Sequence, residues 1–286
     1  MERVSRAAET GGTRLEVSTY GRVSSEFQAE VAEIIRGCYA RLAVPSPPLV
    51  TLRFFDTVAR QQAKQEQEDK ILGVISGGGD PLPVAHSAWG DTPRITVCVE
   101  RLAPLPELLR QGMVRVVAAH TVLHGSPDYY LFKIPAEVVR QGREGGISSA
   151  LLQQLFYGVA TAVKGHAAVQ LLVRHHFIAD QVDLRLHQLE LTPDDLLAWR
   201  LAQVDSRARV LYLTAQLRPL LSAQPLLVYA PSLAEAMHWL TAHLPSAERE
   251  RLLALCARIV TALSGDTLAD IQRAFALAWE ELVLVH

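Results

Sequence analysis

The chain has 286 residues, of which 49% are hydrophobic and 20% are charged, and this composition is typical of a globular protein with one large domain or two. It excludes a disordered chain. The 28 Lys and Arg residues are balanced by 30 Asp and Glu residues, which leaves a formal net charge of −2. Because the chain has no overall basic field, neither nucleic acid nor an anionic membrane is expected as a partner.

The first part of the chain has mixed character. Residues 1–20 are polar and without periodicity, so we predict a flexible tail there. From Ser24 to Leu42 the apolar side chains recur at intervals of three and four, which predicts an amphipathic helix that ends before Pro45. Strands are predicted over residues 50–55, 71–75 and 94–99, with an exposed helix over 58–70 and a loop over 76–81.

The pattern becomes helical after Leu105. Helices are predicted over residues 106–124, 148–163 and 167–190, with four or five more before the C-terminus. Thr192 is expected to cap the next helix, and residues 191–194 are the predicted domain boundary. The fold class is therefore α+β, with a small mixed sheet and helices over residues 21–190 and an all-helical C-terminal domain over residues 191–286.

Two histidines are the most informative side chains. His120 and His124 lie one turn apart on the apolar face of the predicted helix 106–124, so their ring nitrogens can reach one metal ion. Gly125 and Pro127 are typical of a helix end, which places the pair in the last turn, beside a cleft. The sequence therefore predicts a candidate metal site at this end of the helix.

The order of these elements resembles the zincin-like metallopeptidases. In that family an HExxH motif supplies two zinc ligands and a glutamate that polarises the attacking water. This chain has His120-Thr121-Val122-Leu123-His124, and the hydroxyl of Thr121 cannot serve as a general base near neutral pH. The ExxAD pattern that brings the third ligand in some members resembles His176-Phe177-Ile178-Ala179-Asp180, with His in place of Glu.

The resemblance implies a zinc site built from His120, His124 and His176, with water in the fourth position. It also implies that Asp180 accepts the second ring N–H of a ligand histidine. His175 remains an alternative to His176, because it lies on the neighbouring stripe of the predicted helix 167–190. His176 is preferred for its expected position on the same helical face as Asp180.

Other side chains have less specific expected roles. His86 is predicted in a solvated loop, or lining the cleft, and His166 is predicted as a polar cap at the beginning of the helix 167–190. Tyr129 and Tyr130 follow the metal-site helix, where they either reach the cleft or pack on the domain.

Three functions follow as hypotheses. The first is a non-proteolytic zincin-like protein that binds a divalent metal, or keeps only the scaffold, because Thr121 replaces the general base. The second is an active zinc hydrolase whose zinc-bound water needs a weaker base or none. The third is a protein-interaction module, in which the helices of residues 191–286 bind a peptide or protein partner and the histidines are incidental.

Cysteine use and the N-terminus predict the compartment. Cys38, Cys98 and Cys256 are odd in number and far apart, so neither a disulfide framework nor a cysteine-based zinc site is expected. Residues 1–14 lack the apolar core of a signal peptide, and the longest apolar stretch, residues 217–230, is interrupted by prolines. The sequence therefore predicts a cytoplasmic protein without a membrane segment.

Overall fold

The computed structural model describes residues 4–10, 12–72, 82–90, 92–130 and 133–284. The chain divides into two compact units, Met1–Leu131 and Phe132–His286. The first unit is a sheet with helices, and the described part of the second consists of helices and turns, so the α+β class is confirmed. Within the described residues, every helix is too short or too polar to cross a lipid bilayer.

The first unit is built on a mixed five-stranded sheet. Its strands are β1 (Val4–Thr10), β2 (Thr13–Tyr20), β3 (Leu49–Phe55), β4 (Val84–Ser87) and β5 (Arg94–Cys98). Its helices are α1 (Ser25–Leu42), α2 (Val58–Leu72), α3 (Val99–Leu102) and α4 (Glu107–Leu123). The strand order is β1-β2-β3-β5-β4, in which the two outer pairs are antiparallel and the two inner pairs are parallel.

The first two strands correct the predicted flexible tail of residues 1–20. β2 pairs with β1 on one side and with β3 on the other, and both Leu15 and Ser18 are fully buried. The prediction is wrong because β2 carries polar residues on both faces, which hides the alternation expected of a strand. Its conformation depends on pairing with neighbours more than on local propensity.

The two strands predicted for the middle of the sheet are present, but the edge strand beside them was not predicted. The predicted strands 50–55 and 94–99 correspond to β3 and β5. Ile71 and Leu72 belong to α2, so the strand predicted over 71–75 is wrong at its start; its remainder and the loop predicted over 76–81 lie outside the described residues. The sequence missed β4, which pairs antiparallel with β5 and places His86 on an edge strand, not in a loop.

Alternate side chains of the sheet separate an apolar face from a charged one. Phe54 of β3 is fully buried, and its ring lies 6.5 Å from the ring of Phe27 on α1. On the opposite face, Arg53 and Arg94 donate hydrogen bonds of 2.6 and 2.8 Å to the carboxylate of Glu68 on α2. The sheet is thus covered by α1 on one side and by α2 on the other.

The second unit has one hydrophobic core. Its helices are α5 (Ala136–Glu144), α6 (Ser149–Arg174), α7 (Ala179–Gln188), α8 (Pro193–Ala202), α9 (Ser206–Ala223), α10 (Ser232–Leu240), α11 (Ser246–Ala262) and α12 (Thr267–Trp279). The domain boundary predicted at residues 191–194 falls inside this unit, because helices on both sides of it share the core: the rings of Phe156 and Phe275 are 4.5 Å apart. The predicted cap is confirmed, since Thr192 forms a capping box with Asp195.

Glycines allow α6 and α9 to pack closely. A Cβ atom at Gly158 would lie 2.8 Å from Cγ2 of Thr214, and one at Gly165 would lie 2.8 Å from Oγ of Ser222. Both pairs advance in the same direction along the chain, so the two helices run parallel. The sequence predicted that one helix ends before Gly165 and that another begins after it, but α6 continues through this position. Gly165 allows close packing against α9 and does not end the helix.

We expect Gly158→Ala to lower the free energy of unfolding by about 1–3 kcal/mol, because α6 and α9 must separate to admit the methyl group. The measurement is urea-induced unfolding. Thr214→Ser removes the clashing methyl and keeps the hydroxyl, so the same glycine substitution should cost less on that background. Equal losses on both backgrounds would contradict close helix packing as the reason for the glycine.

Candidate metal centre

The helix that carries the predicted metal ligands ends where the sequence places its end. α4 begins after Pro106, and its C-cap is His124, whose backbone N–H donates to the carbonyl of His120 at 2.7 Å. His120 is buried, and His124 is fully buried. Both imidazoles therefore leave the inner face of the helix, as the apolar stripe predicts.

The ring nitrogens of the two histidines point at each other. Nδ1 of His120 lies 3.0 Å from Nδ1 of His124. One ring can donate to the other as a hydrogen bond, depending on the tautomer, or both can present lone pairs to one cation. Two nitrogens bound to zinc at 2.0–2.1 Å in a tetrahedral shell are about 3.3 Å apart, so this separation fits a shared ion after a small adjustment.

Aromatic rings surround the histidine pair within the first unit. The ring of His86 on β4 stacks on the ring of His120, with centroids 4.2 Å apart and planes inclined by 7°. Tyr129 meets His124 edge-on with centroids 5.0 Å apart, and Tyr130 lies between His86 and Trp89. The sequence did not predict the stacking role of His86, because β4 is too short to show a strand pattern.

Thr121, at the position of the missing general base, faces away from the histidine pair. Its side chain is buried, and its hydroxyl donates to the carbonyl of Ala118 at 2.7 Å. Because that bond uses the only hydroxyl hydrogen of the threonine, Tyr39 of α1 must be the donor in the 2.6 Å bond between the two side-chain oxygens. Burial raises the pKa of Tyr39, which keeps the phenol protonated as this donor.

This arrangement gives a structural reason for the absence of a glutamate. A carboxylate in place of Thr121 would be buried against α1, where desolvation disfavours its charge. Residue 121 therefore joins two helices of the first unit instead of serving the cluster of His120 and His124.

The predicted third ligand lies in the second unit, at the end of α6. His175 is the C-cap of this helix, and His176 follows with a φ of 62°. The backbone N–H of His176 donates to Val173, and that of Phe177 donates to Leu172, which together form a Schellman motif. The helix predicted over 167–190 is therefore wrong, because the chain turns here before α7 begins.

The turn changes the relation between His176 and Asp180. His176 is exposed in the left-handed turn, whereas Asp180 is buried in the first turn of α7, where it accepts a 2.9 Å hydrogen bond from Nε2 of Gln181. The argument that the two residues share one helical face is therefore wrong. Glycine or asparagine is usual at this position of the motif, so the sequence alone did not indicate a helix end at a histidine.

His166 is a core residue of the second unit. It is buried in the middle of α6, and its Nδ1 lies 2.9 Å from the carbonyl oxygen of Leu221 on α9. The predicted role as a cap at the beginning of a helix is therefore wrong. Burial lowers the pKa of His166, so the neutral ring is favoured in this setting.

Among the described residues, no three histidine, cysteine, aspartate or glutamate side chains are grouped closely enough to hold a metal ion. His120 and His124 belong to the first unit, and His176 and Asp180 belong to the second. The three-histidine zinc site and the role of Asp180 stay predictions. Comparison of the chain with protein-family models, with characterised proteins and with solved structures finds no match.

We expect Thr121→Val to lower the free energy of unfolding by about 1–3 kcal/mol, because the buried phenol of Tyr39 loses its acceptor. Tyr39→Phe should cost less, and the double variant should be nearly as stable as Tyr39→Phe alone, since neither partner is then left unsatisfied. Chemical unfolding of the four proteins measures this coupling. Strictly additive losses would show that the two hydroxyls do not interact.

Proposed function

We propose that this protein is a non-proteolytic, zincin-like protein that binds a divalent metal through His120 and His124. The observation that carries the proposal is the 3.0 Å separation of their Nδ1 atoms at a buried helix end. Two imidazoles one helical turn apart are a common part of zinc sites. The zincin-like character rests on the order of elements and on the degenerate motifs of the sequence.

The surrounding residues support a binding role more than peptidase chemistry. The stacked ring of His86 restricts the rotation of the His120 ring and so holds the nitrogen in place. Bound zinc supplies a Lewis acid and an acidified water molecule. Thr121 cannot take a proton from such a water, because its hydroxyl is engaged with Ala118 and Tyr39.

His176 stays the third ligand proposed from the sequence, and its backbone conformation gives a reason to examine it. A residue other than glycine with positive φ is uncommon, and strained residues cluster at functional sites. With a φ of 62°, His176 has a backbone conformation that costs free energy for a histidine and would cost little for a glycine.

The first experiment measures metal binding directly. Purified protein is stripped with chelator and titrated with Zn²⁺ and with Co²⁺, and bound metal, the Co²⁺ absorption spectrum and the thermal midpoint are recorded. We expect one ion per chain, and a loss of affinity of at least about tenfold in His120→Ala and in His124→Ala, since each removes a coordinating nitrogen. The exposed His238 provides the matched control, His238→Ala. Equal metal binding by all four proteins would overturn the proposal.

A second substitution separates folding from binding at the third ligand. Glycine adopts positive φ without strain, so we expect His176→Gly to fold with unchanged or slightly higher stability. If His176 is a ligand, the same variant binds Zn²⁺ at least about tenfold more weakly. Unchanged affinity in a folded His176→Gly protein would remove His176 from the site while leaving the pair of histidines in place.

Exposed apolar side chains at the end of α8 favour a second candidate function, the interaction module. Leu197 and Leu201 of α8 are exposed by 55% and 66%, and Val204, in the turn that follows the helix, by 82%. Such a row of apolar side chains is typical of a surface that binds a peptide or protein partner. This exposed apolar row supports the hypothesis that the helices of residues 191–286 bind a peptide or protein partner.

We expect Leu201→Lys to change the free energy of unfolding by less than about 0.5 kcal/mol, because its side chain lies outside the core. Leu213→Lys, at a buried position of α9, is the contrasting variant and should destabilise strongly. Thermal and urea unfolding provide the comparison. A large loss in Leu201→Lys would show that this side chain packs internally, which would end its candidacy as a partner surface.

A further inference from the structure

The helix α2 meets the sheet of the first unit through a polar face. Among its described side chains, the half-buried ones recur at intervals of three and four, and the others are exposed; the half-buried ones are Val58, Gln61, Lys64 and Glu68. This spacing defines one stripe of a helix, and only the first member of the stripe is apolar. Because α1 has six buried residues and the described part of α2 has none, α2 depends far more on polar contacts to stay in place.

Glu68 joins the far half of α2 to two strands of the sheet. Its Oε1 accepts a 2.6 Å hydrogen bond from Arg53 of β3, and its Oε2 accepts a 2.8 Å hydrogen bond from Arg94 of β5. Lys64, one turn earlier on α2, lies 3.5 Å from the same carboxylate. Burial acts to raise the pKa of Glu68, but these three cations hold it below its ordinary value, so the carboxylate is charged at neutral pH.

The two arginines also benefit from this carboxylate. Thr51 of β3 is the register partner of Arg94, and Arg53 follows on the same face of β3, so the two guanidinium groups start from neighbouring strands. Burial lowers the pKa of Arg94, and the charge of Arg53 lowers it further. Glu68 relieves this repulsion by binding both groups. Because all three side chains remain partly exposed, the ion pairs are expected to be weak enough to open.

The beginning of α2 is attached by separate contacts. The backbone N–H of Val58 donates a 2.7 Å hydrogen bond to the carboxylate of Glu100 on α3, and Arg60 pairs with Asp56 at 2.8 Å. Glu68 lies a further ten residues along the chain, which is about 15 Å along a helix. Release of Glu68 would therefore free the far half of α2 while its beginning stays attached.

The face of the sheet beneath α2 carries an unsatisfied polar group. Ser18 of β2 is fully buried, and its hydroxyl forms no hydrogen bond with the described residues. The register places Ser18 directly beside Arg53, with Thr96 of β5 on the other side of that arginine. Buried hydroxyls are nearly always hydrogen-bonded, and Ser18 would gain water as a partner if α2 moved away. The closed position of α2 therefore costs free energy at Ser18, which favours opening.

We propose that α2 is a hinged strap over the polar face of the sheet, with its hinge at Val58 and its latch at Glu68. The closed latch neutralises Arg53 and Arg94, and the open latch uncovers both arginines together with the hydroxyl of Ser18. The opposite, apolar face of the sheet keeps its packing on α1 in both forms. The strap is a conformational device of the first unit that does not depend on the candidate metal centre.

Hydrogen exchange of the intact protein, followed by mass spectrometry of its peptides, measures how often α2 leaves the sheet. An isolated helix of this length is marginal in water, so a released α2 loses the protection of its amides. Glu68→Gln removes the charge of the latch, and Glu66→Gln, at an exposed position of the same helix, is the matched control. We expect exchange in the far half of α2 to rise about tenfold in Glu68→Gln and to stay native in Glu66→Gln, since only the first variant loses charge-assisted hydrogen bonds.

The same data contain the results that would overturn the proposal. Peptides from α1 and β3 should keep native protection in all three proteins. Equal exchange of α2 in the native chain and both variants would show that Glu68 is not a latch. An equally large rise in α1 and β3 would show that Glu68 stabilises the whole unit and that α2 does not open by itself.

Thiol labelling tests whether the strap uncovers the sheet. Ser18→Cys places a thiol at a fully buried position beside the latch, and the three native cysteines are buried internal references: Cys38, Cys98 and Cys256. We expect labelling at residue 18 to be about tenfold faster when Ser18→Cys is combined with Glu68→Gln than when it is combined with Glu66→Gln. Faster exchange in α2 without faster labelling at residue 18 would show a helix that frays in place, which would contradict the strap.

Salt provides a test that needs no substitution in the native chain. The Debye length falls from about 10 Å at about 0.1 M salt to about 3 Å at about 1 M. We expect exchange in α2 of the native chain to rise over this range, and exchange in Glu68→Gln to change little, because its latch is already uncharged. An equal response of the two proteins to salt would rule out an ionic latch at Glu68.

Discussion

The buried hydrogen bond between the hydroxyls of Tyr39 and Thr121 joins α1 to α4 and, with the ion pair between Arg110 and Glu30, fixes how α4 is turned in the first unit. Successive residues of a helix point about 100° apart, so a helix held to α1 through Thr121 directs His120 to another side. There the ring of His120 meets His86 on the edge strand β4, and its Nδ1 meets that of His124. The buried contact between these two helices thereby contributes to the geometry of the candidate metal centre.

The same contact occupies the side chain at which the zincin-like motif has its glutamate. A zincin-like peptidase needs a carboxylate next to its first ligand, and in this chain that position is committed to holding two helices together. The imidazole pair needs no such neighbour to coordinate a cation. The proposed binding of a metal without peptide hydrolysis is compatible with both observations, and the ring of His86 stacks on that of His120.

The helical unit depends on a different constraint, the close approach of α6 and α9. Gly158 and Gly165 remove side-chain volume at the contact, which lets α6 run without interruption through a position that resembles a break in the sequence. Lys164, next to Gly165, is buried in this region of α6.

Local sequence patterns were sufficient to predict those elements that are specified by a few neighbouring residues. The amphipathic helix α1, the strands β3 and β5, the end of α4 with its two inward histidines, and the cap at Thr192 all follow from periodicity or capping chemistry. The tertiary structure alone decided the rest. β1, β2 and β4 exist through pairing with partners distant in the chain, the continuity of α6 depends on its contact with α9, and the turn at His176 replaces a helical face that the sequence suggested. Periodicity indicates which side of an element is buried, but not which neighbour buries it. Only the tertiary structure placed Thr121 against Tyr39 and Gly165 against Ser222.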